Sequence, residues 1–393
     1  MFLTLSKSIY VTLLTLIGFS SFAQTLFFEQ RFYPNGTLKE KYQVYLENND
    51  TLKHGKYIFN YPEGTPMQEG FFFENLPDSL WTNYFRNGLR SSMFRYKQGL
   101  KQGAFQVWND DGSIYQQGFY KNNLLEGKLI TYHPNGQIDS ESYYEKNLLN
   151  GTSIVLSPSG LPIIKATYIN DTLNGPWESY HSTGELNYKG FKYNDLYVDT
   201  LYTYYKNGNI QRIGYYENGR LQGKVVGYHE GGGLMNVSHY VDGKLNGSYI
   251  EYFPNGALAE TGLYHSDQRV GNWTSYYPIG TINSTGTFKD GKYHGEWIVY
   301  YPNGLNKQIG QYLNGKSTGR WQFFNENGEM NLTGSFINGK SEGFWTVLYP
   351  NGNIAGRIFF RHGKQSGPAW LYEEDGKVNQ IFKLNSLPAI LTR

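Results

Sequence analysis

Large apolar side chains return along this chain in a fixed phase. Phe72, Tyr96, Tyr120, Tyr144, Tyr168, Tyr216, Tyr240, Tyr264, Phe288, Tyr312, Phe336 and Phe360 occupy one position of a 24-residue period, with Lys192 the lone exception. Two residues earlier the position is small, as at Gly70, Gly118, Gly190, Gly214, Gly262, Gly286, Gly310 and Gly334. Residues two apart share a strand face, so the small residue reads as room for a ring from a neighbouring strand. Ile114, Ile138, Leu186, Ile210, Leu234, Leu258, Ile282 and Ile354 add an aliphatic row of the same parity. Each of these segments is predicted to be a short β-strand.

A second strand per period carries Tyr57, Trp81, Phe105, Trp177, Tyr249, Trp273, Trp297, Trp321 and Trp345 at one position. Three residues further stand Tyr84, Trp108, Tyr132, Tyr180, Tyr204, Tyr228, Tyr252, Tyr276, Tyr300 and Phe324. A spacing of three puts the two rows on opposite faces. One row is expected to supply the core and the other to be left for a different use.

Two turns separate the strands. The first is Tyr-Pro-Asn-Gly at 33–36, 301–304 and 349–352, with variants elsewhere, and its glycine recurs every 24 residues from Gly64 to Gly376. Pro presets the second position, Asn suits the third, and Gly accepts the left-handed conformation that closes a type I hairpin connection. Eleven residues on, the key position is Gly, Asn or Asp in every unit from Asn75 to Gly363, the residue types that best tolerate positive φ. A further glycine series from Gly55 to Gly367 is broken only by Ser79 and Asp199.

These patterns predict an all-β fold, an elongated, curled antiparallel β-meander of about fifteen tandem 24-residue hairpin repeats. The first unit, 24–54, carries a four-residue insertion; regular units follow over 55–382, and 383–393 read as a cap or tail. The weakest seam is expected from Phe191 to Thr200, where Lys192 and Asp199 depart from both series.

The unit Gly295-Glu296-Trp297-Ile298-Val299-Tyr300-Tyr301-Pro302-Asn303-Gly304, with Gly310, Tyr312, Asn314-Gly315-Lys316 and Gly319 after it, resembles the bacterial MORN-repeat variant. That family includes proteins labelled as YwqK-type antitoxins. The resemblance covers essentially the whole chain after residue 23. It implies a curled single-layer sheet used for protein–protein or protein–lipid contact, and it extends to an antitoxin-like role.

Composition adds three things. Gly (47) and Tyr (36) are heavily used, as one motif copied many times would require, and the chain has no Cys, which excludes disulfides and thiolate metal sites. Lys7, the apolar run from Ile9 to Phe19 and the small residues of Ser21-Phe22-Ala23 form the pattern of a signal peptide over 1–23, cleaved after Ala23. The product is expected to be exported: periplasmic, cell-surface or secreted. With 35 basic and 33 acidic residues and no basic block, bulk electrostatics favours neither nucleic acid nor an anionic membrane.

No catalytic constellation stands out, and the chain is expected not to be an enzyme and to need no cofactor or metal. His133, His181 and His229 share a repeat position but lie two units apart, about 19 Å at the strand spacing, too far to share an ion. Asn109-Asp110-Asp111-Gly112 and Asn325-Glu326-Asn327-Gly328 lack the ligand series of a calcium loop and read as hairpin turns. Trp273, Trp297, Trp321 and Trp345 are the candidate binding face. Two readings of them are open: a packed core row, or an exposed platform with Tyr252, Tyr276, Tyr300 and Phe324 supplying the core. The favoured partner is another protein of the cell envelope, and the alternative is a glycan or cell-wall polymer stacked on aromatic rows.

Overall fold

A computed structural model describes residues 26–47 and 50–382. The proposed signal segment and the 383–393 tail therefore fall outside the described residues. Within them there is no helix; 33 strands, from Phe27–Phe32 to Val378–Phe382, make an antiparallel meander in which strands close in sequence pair. The chain divides into two compact units, 1–136 and 137–393, and the described residues of each form a run of hairpins.

In the second unit the strands Ile282–Lys289 and Lys292–Tyr300 show how one period is built. Lys289 pairs with Lys292 across a two-residue turn, Asp290-Gly291, with φ of 50° and 73°. Two positive φ values define the type I′ turn, whose twist matches that of the flanking strands. The other connection is Tyr277-Pro278-Ile279-Gly280. Gly280 N–H donates to the Tyr277 carbonyl and Tyr277 N–H to the Thr281 carbonyl, both at 2.8 Å. Gly280, at φ 90°, takes the left-handed position that closes this turn.

Both ends of the hairpins are tied to the next unit. Asn255 caps its own turn by accepting from Ala257 N–H at 3.0 Å and donates its amide to the Pro278 carbonyl, one period on, at 2.9 Å. At the opposite ends Asp267 N–H donates to the Leu245 carbonyl while its carboxylate accepts from Leu245 N–H at 2.7 Å. In the first unit Asn75 holds Lys53 through the same pair of bonds.

Strand pairing continues through the expected seam: Phe191 pairs with Val198, Lys192 with Tyr197 and Tyr193 with Leu196, after a register shift between Lys189 and Phe191. Asp199 takes the left-handed conformation of the glycine it replaces, φ 62°, and its carboxylate accepts from Thr200 N–H at 2.7 Å. Lys192 substitutes for the missing ring by setting its ammonium 4.4 Å from the centre of the Tyr197 ring. Neither departure was chemically idle.

Candidate functional site

The tryptophan row is packed, so the platform reading of the candidate face is corrected. Trp273 and Trp321 are 2% and 4% exposed, and Trp297 and Trp345 are half-buried. Trp273, Trp297 and Trp321 each lie directly across the strand from a glycine, Trp297 from both Gly286 and Gly310. A Cβ at Gly262, Gly286, Gly310 or Gly334 would run into the ring of Trp273, Trp297, Trp321 or Trp345 respectively. Neighbouring rings close over the row edge-to-face: Tyr264–Trp273 at 5.2 Å and 87°, Phe288–Trp297 at 5.4 Å and 87°, Phe336–Trp345 at 4.9 Å and 80°. Arg269 covers Trp273 with its guanidinium 4.0 Å from the ring centre, held there by two bonds to Glu260. The sheet thus makes its core on this ring face without a second layer.

The opposite, open face carries what is left for contact. Its Tyr252, Tyr276, Tyr300 and Phe324 are half-buried. Phe191 and Tyr215 alternate with the ring-face residues beside them in the strand and point to this face. Together with Tyr193 and Leu196, a directly opposed pair, they form an apolar patch whose members are 46–58% exposed.

On the ring face of the second unit, the row of large rings is interrupted. Between Trp177 and Tyr249 its positions are taken by Leu201 and Val225. The gap leaves a cavity of about 750 Å³. Its floor is Gly214, Val225 and Ser238, aligned across three strands. Tyr216, Tyr240 and Tyr264 line one side, and Thr203, Arg212 and Asn236 the other.

Five of six matches to the MORN repeat variant family begin at the same repeat position: residues 53–75, 101–122, 125–146, 245–266 and 293–314, with 200–218 the sixth. The chain is a MORN-variant repeat protein. Among curated proteins none matches the sequence. Solved structures that align include the TcdB2–TccC3–Cdc42 complex, 10% identical over 88% of this chain and 27% of that one, with a TM-score of 0.12. Another is the Photorhabdus luminescens Tc holotoxin pore, 11% identical over 92% and 24% of the two chains, with a TM-score of 0.16. The chain spans about a quarter of the length of these proteins. At scores this low the likeness fixes neither fold nor function.

In this MORN array the histidines are ladder residues. His181 and His229 stand at the first turn position, where Tyr is usual, and their Nε2 atoms lie 3.2 and 2.9 Å from the carbonyls of Tyr204 and Tyr252. A carbonyl only accepts, so Nε2 carries the proton. The two calcium-loop look-alikes are turns of the MORN hairpins: Asp111 accepts from Ser113 N–H, and Asn325 from Asn327 and Glu329 N–H. The open-face patch and the cavity escaped sequence reasoning. Leu201 and Val225 stand in the sequence as departures from the aromatic row, but so do Leu129 and Ser153, and the loss alone does not mark the cavity.

Proposed function

We propose that the chain is an exported, non-catalytic MORN-variant protein that binds or scaffolds another protein of the cell envelope through the open face of its sheet. The observation that carries this reading is the patch of Phe191, Tyr193, Leu196 and Tyr215. Four large apolar side chains are each about half-exposed on adjacent strands. Contiguous exposed apolar surface marks an interaction site more often than scattered single residues do. Export rests on Lys7, the Ile9–Phe19 run and the small residues before Gln24.

A photo-reactive amino acid placed at Tyr193 and, separately, at the buried Val225 tests it in the native cell. Tyr193 should give one discrete protein adduct and Val225 none, and Phe191→Ser with Leu196→Ser should remove the adduct while far-UV circular dichroism is kept. Equal labelling from both positions, or an adduct that survives the double substitution, would overturn the reading.

A further inference from the structure

We infer that the cavity between Trp177 and Tyr249 on the ring face is a binding trough for an oligosaccharide that bears a carboxylate. The trough is a departure from the repeat, and the departure is consistent across it. Where Trp273, Trp297 and Trp321 stand over glycine, this stretch holds Leu201 and Val225, and the cross-strand partners stay small as Gly214 and Ser238. Leu201, Val225 and Ser238 are at most 8% exposed, so the floor is closed.

The two sides differ in chemistry. Tyr216, Tyr240 and Tyr264 repeat at one position in three successive units, a spacing of about 10 Å for two strands per unit. Facing them, Arg212 and Asn236 are brought side by side, because both pair with Gly227, which has no side chain to part them. A pyranose has the same division: a C–H face that lies against an aromatic ring and a rim of hydroxyls that pair with amide and guanidinium groups. The trough crosses several units, which calls for a linear chain of sugars.

Charge sets the rest. Arg212 makes no ion pair among the described residues; its contact there is the Tyr240 ring, 5.9 Å from the guanidinium carbon. The nearest acid along that wall, Glu251 on the strand beside Asn236, accepts from the Tyr249 hydroxyl at 3.1 Å. A half-buried guanidinium without a carboxylate pairs best with one brought by the ligand. An extended peptide suits the site less well. Peptides gain affinity by adding to a free strand edge, and the backbone groups of this floor are committed to the ladder on both sides.

Calorimetric titration of the full chain with trigalacturonate, cellotriose and triglutamate tests the inference. Trigalacturonate should bind, and cellotriose, which lacks the carboxylates, should bind about tenfold more weakly or not at all. Arg212→Gln should lower the affinity for trigalacturonate by about tenfold. Val225→Trp restores the repeat's usual ring over Gly214 and should abolish binding while thermal unfolding stays cooperative. Should that variant fail to fold, Arg212→Gln and Asn236→Leu decide the matter alone. No heat with trigalacturonate, equal binding of cellotriose or triglutamate, or unchanged affinity in the folded variants would each overturn it. The inference stands apart from docking on the open face, and crosslinking from Tyr193 should be unaffected by Val225→Trp.

Discussion

The Tyr277 hydroxyl donates to the backbone carbonyl of Tyr300, 23 residues later, at 2.9 Å. Tyr61 reaches Tyr84, Tyr205 reaches Tyr228, Tyr301 reaches Phe324 and Tyr349 reaches Tyr372 in the same way. The tyrosine that opens each of these turns is thus a staple between units, binding a carbonyl at the point where the next hairpin leaves its strand. Nearest-neighbour bonds of this kind are what a repeat array has in place of long-range contacts.

Removing the staple should cost about 0.5–1.5 kcal/mol, the net value of one hydrogen bond. Tyr277→Phe should lose that amount in urea unfolding. Tyr277→His should recover most of it, because His181 and His229 already do the same work in this chain. A histidine variant no better than phenylalanine would show that ring packing, and not the bond, is what the position supplies.

The Trp–Gly pairing predicts losses from either side. Trp321→Ala empties a buried site and should cost about 3–5 kcal/mol, with Trp297→Ala costing less because its ring is only half-buried. Gly286→Ala adds a methyl group against the Trp297 ring and should cost about 1–3 kcal/mol. In the Gly286→Ala, Trp297→Leu double variant the two losses should sum to more than the measured total, since the smaller side chain relieves the clash. Strict additivity in denaturant unfolding would mean that the ring does not sit over the glycine.

Alkaline stability should report the packed tyrosines. Burial, together with the Glu178 carboxylate accepting from its hydroxyl at 2.8 Å, pushes Tyr180 up to about 12 from 10.0. Burial raises Tyr57 and Tyr249 as well. A raised tyrosine pKa means the folded state favours the protonated ring. Its stabilisation is therefore complete below the unfolded value of about 10 and is lost as pH rises toward the folded value. Unfolding free energy should hold up to about pH 10 and fall between there and about 12, with tyrosinate absorbance rising in step. Tyr180→Phe should make that fall shallower. An unchanged slope would mean that Tyr180 ionises freely in the folded chain.

The period, the two turns and the alternation of faces could be read from the chain alone because each rests on local chemistry. Left-handed backbone at Gly291 or Gly304 restricts residue choice wherever the turn occurs, and alternation along Ile282–Lys289 follows from strand geometry. Parity separates the row of Trp297 from that of Tyr300, but it carries no information on which row becomes covered. That was decided across strands, where Trp297 meets Gly286 and Gly310, a partnership set by register and not by sequence distance. The same holds for Lys192, whose place in the ladder depends on a ring at Tyr197 to receive its charge. It holds too for Arg212 and Asn236, which stand 24 residues apart in the chain and become neighbours only because both pair with Gly227.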